Sequence, residues 1–169
     1  MTICETERLR LRHLSGSDAA FILDLLNDPD FVRNIGDRAV RTLAEARHYI
    51  LTGPVASYER FGFGLYLVET RQPMRSIGIC GFLRRDSHPD VEIGFAYLPA
   101  GRGQGYAQEA ATAVLEFGTR SLRMTRIVAL TAPDNQRSGK LLEKLGFQFE
   151  RTVCLAGLEP SRFFVRHFT

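Results

Sequence analysis

Cysteine is scarce and scattered in this chain. Cys4, Cys80 and Cys154 stand far apart among 169 residues. No C-x-x-C pair or Cys/His cluster suggests a disulfide framework or a metal site. The three read as small hydrophobes in a reducing compartment. No apolar run reaches the length of a membrane span. The N-terminus turns charged by Glu5, which does not suit a signal peptide, and the cytoplasm is the expected location. Charge is not concentrated either. The net charge is +3, and the arginines are dispersed instead of forming the basic stripe of a nucleic-acid surface. His13, His48, His88 and His167 share no metal-ligand spacing, so no metal is expected. Repeats, low-complexity tracts and linkers are also missing. What remains is a composition of 44% hydrophobic and 24% charged residues, ordinary for a globular chain. Its length suits one domain, 1–169, with a real core.

The order of elements is mixed α/β. Arg8 to Leu14 alternates charge with Leu9 and Leu11, a half-buried strand. Ser15 to Asp18 opens a helix with Phe21, Ile22, Leu25 and Leu26 on one face, and Asn27-Asp28-Pro29-Asp30 breaks it. Thr42-Leu43-Ala44-Glu45 is a capping box that starts a second helix, which Gly53-Pro54 ends or kinks. Strands follow at Gly62 to Glu69 and Ser76 to Arg84, then at Val91 to Leu98, apolar on both faces and so central. Ala107, Ala110, Ala111, Val114, Leu115 and Gly118 fall on one face of a helix. Ile127 to Thr131 is a strand. Ser138 to Leu145 is a helix stopped by Gly146. Phe147 to Leu155 and Arg162 to Phe168 close the chain as strands.

The most informative stretch is VEIGFAYLPAGRGQGYAQEAATA, residues 91–113. An apolar strand runs into a glycine-rich turn with an arginine in it, then into an alanine-rich helix. Glycines let the chain turn tightly and let backbone N–H groups approach a ligand. The helix N-terminus aims free N–H groups at the same place, which suits a phosphate-bearing ligand. Two commoner phosphate loops are excluded. A P-loop needs Lys followed by Ser or Thr, a pair that does not occur here, and G-x-G-x-x-G fails at Tyr106.

Arg102-Gly103-Gln104-Gly105-Tyr106-Ala107-Gln108 resembles the acetyl-CoA pyrophosphate loop of the GNAT acetyltransferases. Glu7 to Arg12 resembles the T-x-R-L-x-L-R opening of the branch that acetylates ribosomal-protein N-termini. Asn135-Gln136-Arg137-Ser138 with Leu142-Glu143-Lys144-Leu145-Gly146-Phe147 resembles that branch's N-x-x-S…L-E-K-L-G-F signature. The resemblance covers nearly the whole chain. It implies a mostly antiparallel mixed sheet, splayed between its fourth and fifth strands and flanked by helices. It also implies an acetyl-CoA-dependent N-acetyltransferase acting on a primary amine, either a protein N-terminus or a small molecule, in a ternary complex. Phe95, Ala96 and Tyr97 would pair main chain with the pantetheine arm, and an N–H near Ala96 or Tyr97 would meet the developing oxyanion. Gly103, Gln104, Gly105, Tyr106, Ala107 and Gln108 would wrap the pyrophosphate, with Arg102 beside it. Asn135 would reach the cofactor, and is equally a natural helix N-cap. The acceptor channel would be built by Asp28 to Arg41 and Leu155 to Phe164.

Proton transfer needs a base for the incoming ammonium and an acid for the leaving thiolate. Glu92, a carboxylate on an otherwise apolar strand, is the candidate base. It could instead pair with an arginine such as Arg84, leaving the proton to water. Many members of the superfamily carry a tyrosine where this chain has Leu142, so Ser138 becomes the candidate acid. Its other role would be that of a small polar residue in a helix's first turn. The missing tyrosine also admits a non-catalytic acyl-CoA-binding module. An isoelectric point near 9.0 is all that favours a nucleic-acid-associated protein. Neither nucleic acid nor membrane is expected among the partners, and a homodimer is left open.

Overall fold

The computed structural model describes residues 1–86, 88–155 and 159–169. Among the described residues eight strands form one sheet: β1 (Thr2–Glu5), β2 (Leu9–His13), β3 (Leu65–Arg71), β4 (Met74–Arg84), β5 (Val91–Tyr97), β6 (Arg126–Thr131), β7 (Gln148–Val153) and β8 (Ser161–His167). Their spatial order is β1-β2-β3-β4-β5-β6-β8-β7. Every neighbouring pair is antiparallel except β5 and β6. The helices are α1 (Ala19–Leu26), α2 (Pro29–Asn34), α3 (Leu43–Ile50), α4 (Ala56–Phe61), α5 (Tyr106–Arg120) and α6 (Gln136–Lys144).

The period-2 alternation of the strands sorts side chains onto two faces. Tyr66, Val68, Ile93 and Ile127 pack with Ala110, Ala111 and Val114 of α5 and Leu142 of α6. Leu65, Leu67 and Ile79 pack on the opposite face with Ile22 and Leu25 of α1 and Ala46 and Ile50 of α3. The small residues of α5 let that helix lie close to the sheet. At Gly118 a Cβ would come within 2.5 Å of Phe82 Cζ, so glycine there is a packing requirement.

The anticipated order of elements is present, with two additions. A short edge strand, β1, precedes the first anticipated strand, so the splay falls between the fifth and sixth strands of the sheet. Asp28-Pro29 ends α1 but also starts α2. Pro29 sits in its first turn and the Asp28 carboxylate accepts the Phe31 N–H at 3.4 Å, a position that suits proline because no intrahelical partner is lost. Half of the capping box forms: Thr42 Oγ1 accepts the Glu45 N–H at 3.1 Å, while the Glu45 carboxylate accepts the Thr42 hydroxyl at 3.1 Å and not the Thr42 N–H. Gly53-Pro54 neither ends nor breaks that helical run. Residues 51–55 widen into a π-turn that carries Pro54 and leads straight into α4.

The arginines of the opening motif lie opposite buried carboxylates. Glu69 accepts from Arg10 Nη2 at 2.7 Å and Arg12 Nε at 3.1 Å. Asp18 accepts from both terminal nitrogens of Arg12, at 3.0 and 2.9 Å, and from the Ser15 N–H at 2.9 Å. Burial pushes the Asp18 carboxyl up, but these bonds outweigh it and hold the group below the usual carboxylate value. A group depressed on folding adds stability above its unfolded pKa and loses it as pH falls through the folded one. Asp18→Asn should therefore lower the melting temperature at pH 7 by about 4–8 °C, corresponding to about 2 kcal/mol. It should also flatten the acid limb of the stability curve below about pH 4. Thermal melts across pH check both.

Candidate functional site

β5 and β6 run parallel but share a single register pair, Glu92 with Val128. Beyond it they separate. The Leu98 N–H donates to Ile77 O at 3.0 Å, which extends the β4–β5 ladder by one pair. Alternation along an antiparallel strand then gives Ala96 to β4, opposite Ile79, and turns the main-chain groups of Phe95 and Tyr97 toward β6. Of the three residues expected to meet the pantetheine arm, Phe95 and Tyr97 present backbone to the splay. The Ala96 N–H is committed to β4, which leaves the amides of Phe95 and Tyr97 facing the splay.

Each of the parallel strands is followed by a helix, α5 after β5 and α6 after β6. Both helices therefore start at the carboxyl ends of the strands, on the open side of the splay, where open α/β sheets place their ligands. Gly103 and Gly105 have φ of 75° and 81°, left-handed values that glycine adopts without strain. Gly105 is the N-cap of α5, and among the described residues no side chain caps that helix. The first-turn N–H groups of Tyr106, Ala107 and Gln108 therefore lack an intrahelical partner, and they lie at the positive end of the longest helix.

The loop is braced from outside by residues the sequence analysis did not single out. Arg8 Nη1 donates to Gln104 O at 2.9 Å and Arg8 Nε to Glu109 at 2.7 Å. Thr6 Oγ1 and the Arg8 N–H reach the other oxygen of Glu109, at 2.6 and 3.0 Å. Desolvation works against the Glu109 anion, but these donors prevail and hold its carboxyl low. Arg8 also stacks 4.5 Å from the Tyr106 ring centroid. Thr6 and Arg8 are the first two fixed positions of the opening motif, which was the available signal. The Gln104 side chain bonds Ala100 O at 3.1 Å.

The Arg102 guanidinium is engaged by two carboxylates and a main-chain carbonyl. Its Nη1 donates to Asp30 at 2.8 Å, and its Nη2 to Asp28 at 2.6 Å and to Tyr97 O at 2.7 Å. Asn135 is the N-cap of α6: its Oδ1 accepts the Ser138 N–H at 3.2 Å while its Nδ2 donates to Ser138 Oγ at 3.0 Å. That second bond makes the serine oxygen an acceptor, so its own O–H is left to donate elsewhere.

Glu92 is buried at the closed end of the splay. Arg85, not Arg84, holds it, through Nε to Oε2 at 2.8 Å and Nη2 to Oε1 at 3.2 Å. Pleating explains the choice. Glu92 lies opposite Leu83, so its face is that of Leu83 and Arg85, whereas Arg84 points to the other face, 5.8 Å from the Phe61 ring. The hydrogen bond to Glu92 in turn raises the Arg85 pKa.

The model for the Acetyltransferase (GNAT) domain matches residues 8–148. An uncharacterized N-acetyltransferase of Bacillus subtilis, YoaA, is 32% identical over 149 residues, covering 88% of this chain and 84% of its own. The ribosomal protein uS5-alanine N-acetyltransferase of Escherichia coli is 34% identical over 92 residues, which is 53% of this chain and 46% of its own. RimL, a ribosomal alpha-N-protein acetyltransferase solved in complex with coenzyme A, superposes with a TM-score of 0.84 at 19% identity, over 99% of this chain and 98% of its own. At that identity the likeness is one of fold. The chain belongs to the GNAT family and is an N-acetyltransferase.

Removing one partner of a buried ion pair leaves the other uncompensated, whereas replacing both by apolar groups is close to neutral. Glu92→Gln should therefore lower stability by about 2 kcal/mol or more. Glu92→Leu combined with Arg85→Met should recover much of the loss. Denaturant melts of the single and double variants check this.

Proposed function

We propose that this chain transfers an acetyl group from acetyl-CoA directly to a primary amine while both are bound. The observation that carries the reading is the splay. Two unpaired backbone edges and an uncapped helix N-terminus converge on one opening, and both need a polar partner. A pantetheine amide chain fits the strand edge, and a pyrophosphate fits the loop. Phe95, Tyr97 and Gly103 to Gln108 would hold the cofactor mainly by main chain. Asn135 would act by fixing Ser138.

The amine nitrogen attacks the thioester carbon, a C–N bond forms, the C–S bond breaks and the thiolate takes a proton. Holding the two reactants in line supplies much of the acceleration. The amide of Phe95 or Tyr97 would stabilise the oxyanion. Ser138 would donate its hydroxyl proton to sulfur, which its accepting bond from Asn135 favours. For Glu92 a second reading is favoured by the Arg85 fork: the carboxylate anchors the closed end of the splay, and water takes the amine proton. The acceptor is proposed to be a free protein N-terminus, by analogy with the uS5-alanine enzyme. A small-molecule amine is the alternative outcome.

A thioester-cleavage assay against a panel of amines tests the function. The panel comprises short peptides with free N-terminal alanine or serine, spermidine and an aminoglycoside. Transfer to a peptide N-terminus is expected, and cleavage with none of the amines would contradict the proposal. Ser138→Ala should lower kcat by about 10²-fold with acetyl-CoA affinity little changed. Glu92→Gln should keep the acidic limb of the kcat/KM profile, and loss of that limb would return the base role to Glu92.

A further inference from the structure

Arg102 opens the glycine loop Arg102-Gly103-Gln104-Gly105-Tyr106-Ala107-Gln108, and its position suggests a phosphate ligand. Its contacts point inward instead. The guanidinium spans Asp30, Asp28 and Tyr97 O. Asp28 is only 9% exposed, and the oxygen that meets Arg102 also caps α2. Swinging Arg102 onto a phosphate would strand that buried carboxylate without a counter-charge, which is strongly unfavourable. The arginine therefore has little freedom to leave.

Its three partners belong to two sides of the site. Tyr97 ends β5 and offers its amide to the splay. Asp28 and Asp30 flank the first residue of α2, which carries the exposed apolar residue Val32, ends at the exposed Ile35 and leads into residues 35–41, part of the segment that the family resemblance assigns to the acceptor channel. The planar fork of arginine suits such a junction, because it fixes direction as well as distance. We propose that Arg102 is a positioning residue for the acceptor amine. It ties α2 to the carboxyl end of β5 and so sets the acceptor wall relative to the thioester, without binding the pyrophosphate through its side chain. The proposal rests on the acetyl-transfer reading above. A shift of about 1 Å between the two sides would spoil in-line attack.

The test compares Arg102→Met, Arg102→Lys and the pair Asp28→Asn with Asp30→Asn, since asparagine at 28 preserves the cap of α2. Calorimetry reads acetyl-CoA affinity. Steady-state kinetics uses the panel amine with the highest kcat/KM at saturating acetyl-CoA. Hydrogen exchange of the Val32, Ile35 and Gly36 amides, which bond to Asp28 O and Phe31 O, reads the tether in the free protein. Arg102→Met is expected to keep acetyl-CoA affinity within about 3-fold while the amine KM rises about 10-fold or more. It should also speed exchange at those three amides. The aspartate pair should reproduce these effects, adding Arg102→Met to it should change little more, and Arg102→Lys should restore part of the amine KM. Acetyl-CoA affinity weakened about 10-fold with an unchanged amine KM would make Arg102 a phosphate ligand and overturn the proposal, as would unchanged exchange at α2. A wild-type protein that binds acetyl-CoA but acetylates no amine would contradict the transfer reading instead, and the exchange data would then decide the tether alone.

Discussion

β5 and β6 meet at one residue pair and then part, and the site depends on that parting. A parallel pair that continued would consume the backbone groups of Phe95 and Tyr97. A sheet that lost β6 altogether would have no second wall. The single bridge at Glu92 and Val128 keeps the strands together at one end and leaves a wedge at the other. Because the strands are parallel, the helices after them start on the same side, so the α5 amides and the Asn135–Ser138 turn share the mouth of the wedge. Main-chain groups without partners cost free energy when water is excluded from them, and on the proposed reading a cofactor rich in amide and phosphate groups would offset that cost.

Arginine forks hold the surrounding pieces in place. Arg8 joins Glu109 to the glycine loop, Arg85 closes the narrow end on Glu92, and Arg102 spans from Tyr97 to α2. Arg10 and Arg12 bind Glu69 and Asp18 beneath the second and third strands. Such pairs contribute modestly to net stability when partly exposed, but a bidentate guanidinium fixes orientation. Arg8 to Glu109, Arg102 to Asp28, and Arg10 and Arg12 to Glu69 join segments distant in sequence, whereas Arg85–Glu92 and Arg12–Asp18 are local.

Much of this was legible in the sequence because it is local. Glycine spacing, alanine periodicity in α5, the capping box at Thr42 and the Asn135-x-x-Ser138 turn are all written within a few residues of each other. β1 was missed because four residues, Thr2 to Glu5, at an exposed edge give too short an alternation to detect. α2 was missed because Asp28-Pro29 both ends one helix and begins another. An arginine partner for Glu92 was legible but not which arginine, and the partners of Arg102 were not legible. Choosing Arg85 over Arg84 needs the strand register, which decides the face. Connecting Arg102 to Asp28 needs a tertiary contact across 74 residues, and the local motif points to a different partner. The T-x-R-L-x-L-R opening sits between these cases: visible as a pattern, but explained only when Thr6 and Arg8 are seen on Glu109, and Arg12 on Asp18.

The most direct measurement is a crystal structure with coenzyme A bound. The pyrophosphate oxygens should lie within hydrogen-bond distance of amide nitrogens between Gly103 and Gln108. The pantetheine amides should run along Phe95 and Tyr97 inside the wedge, with the Arg102 guanidinium still on Asp28. Coenzyme A bound outside the wedge, or β5 and β6 zipped together beyond Glu92 and Val128, would contradict this account.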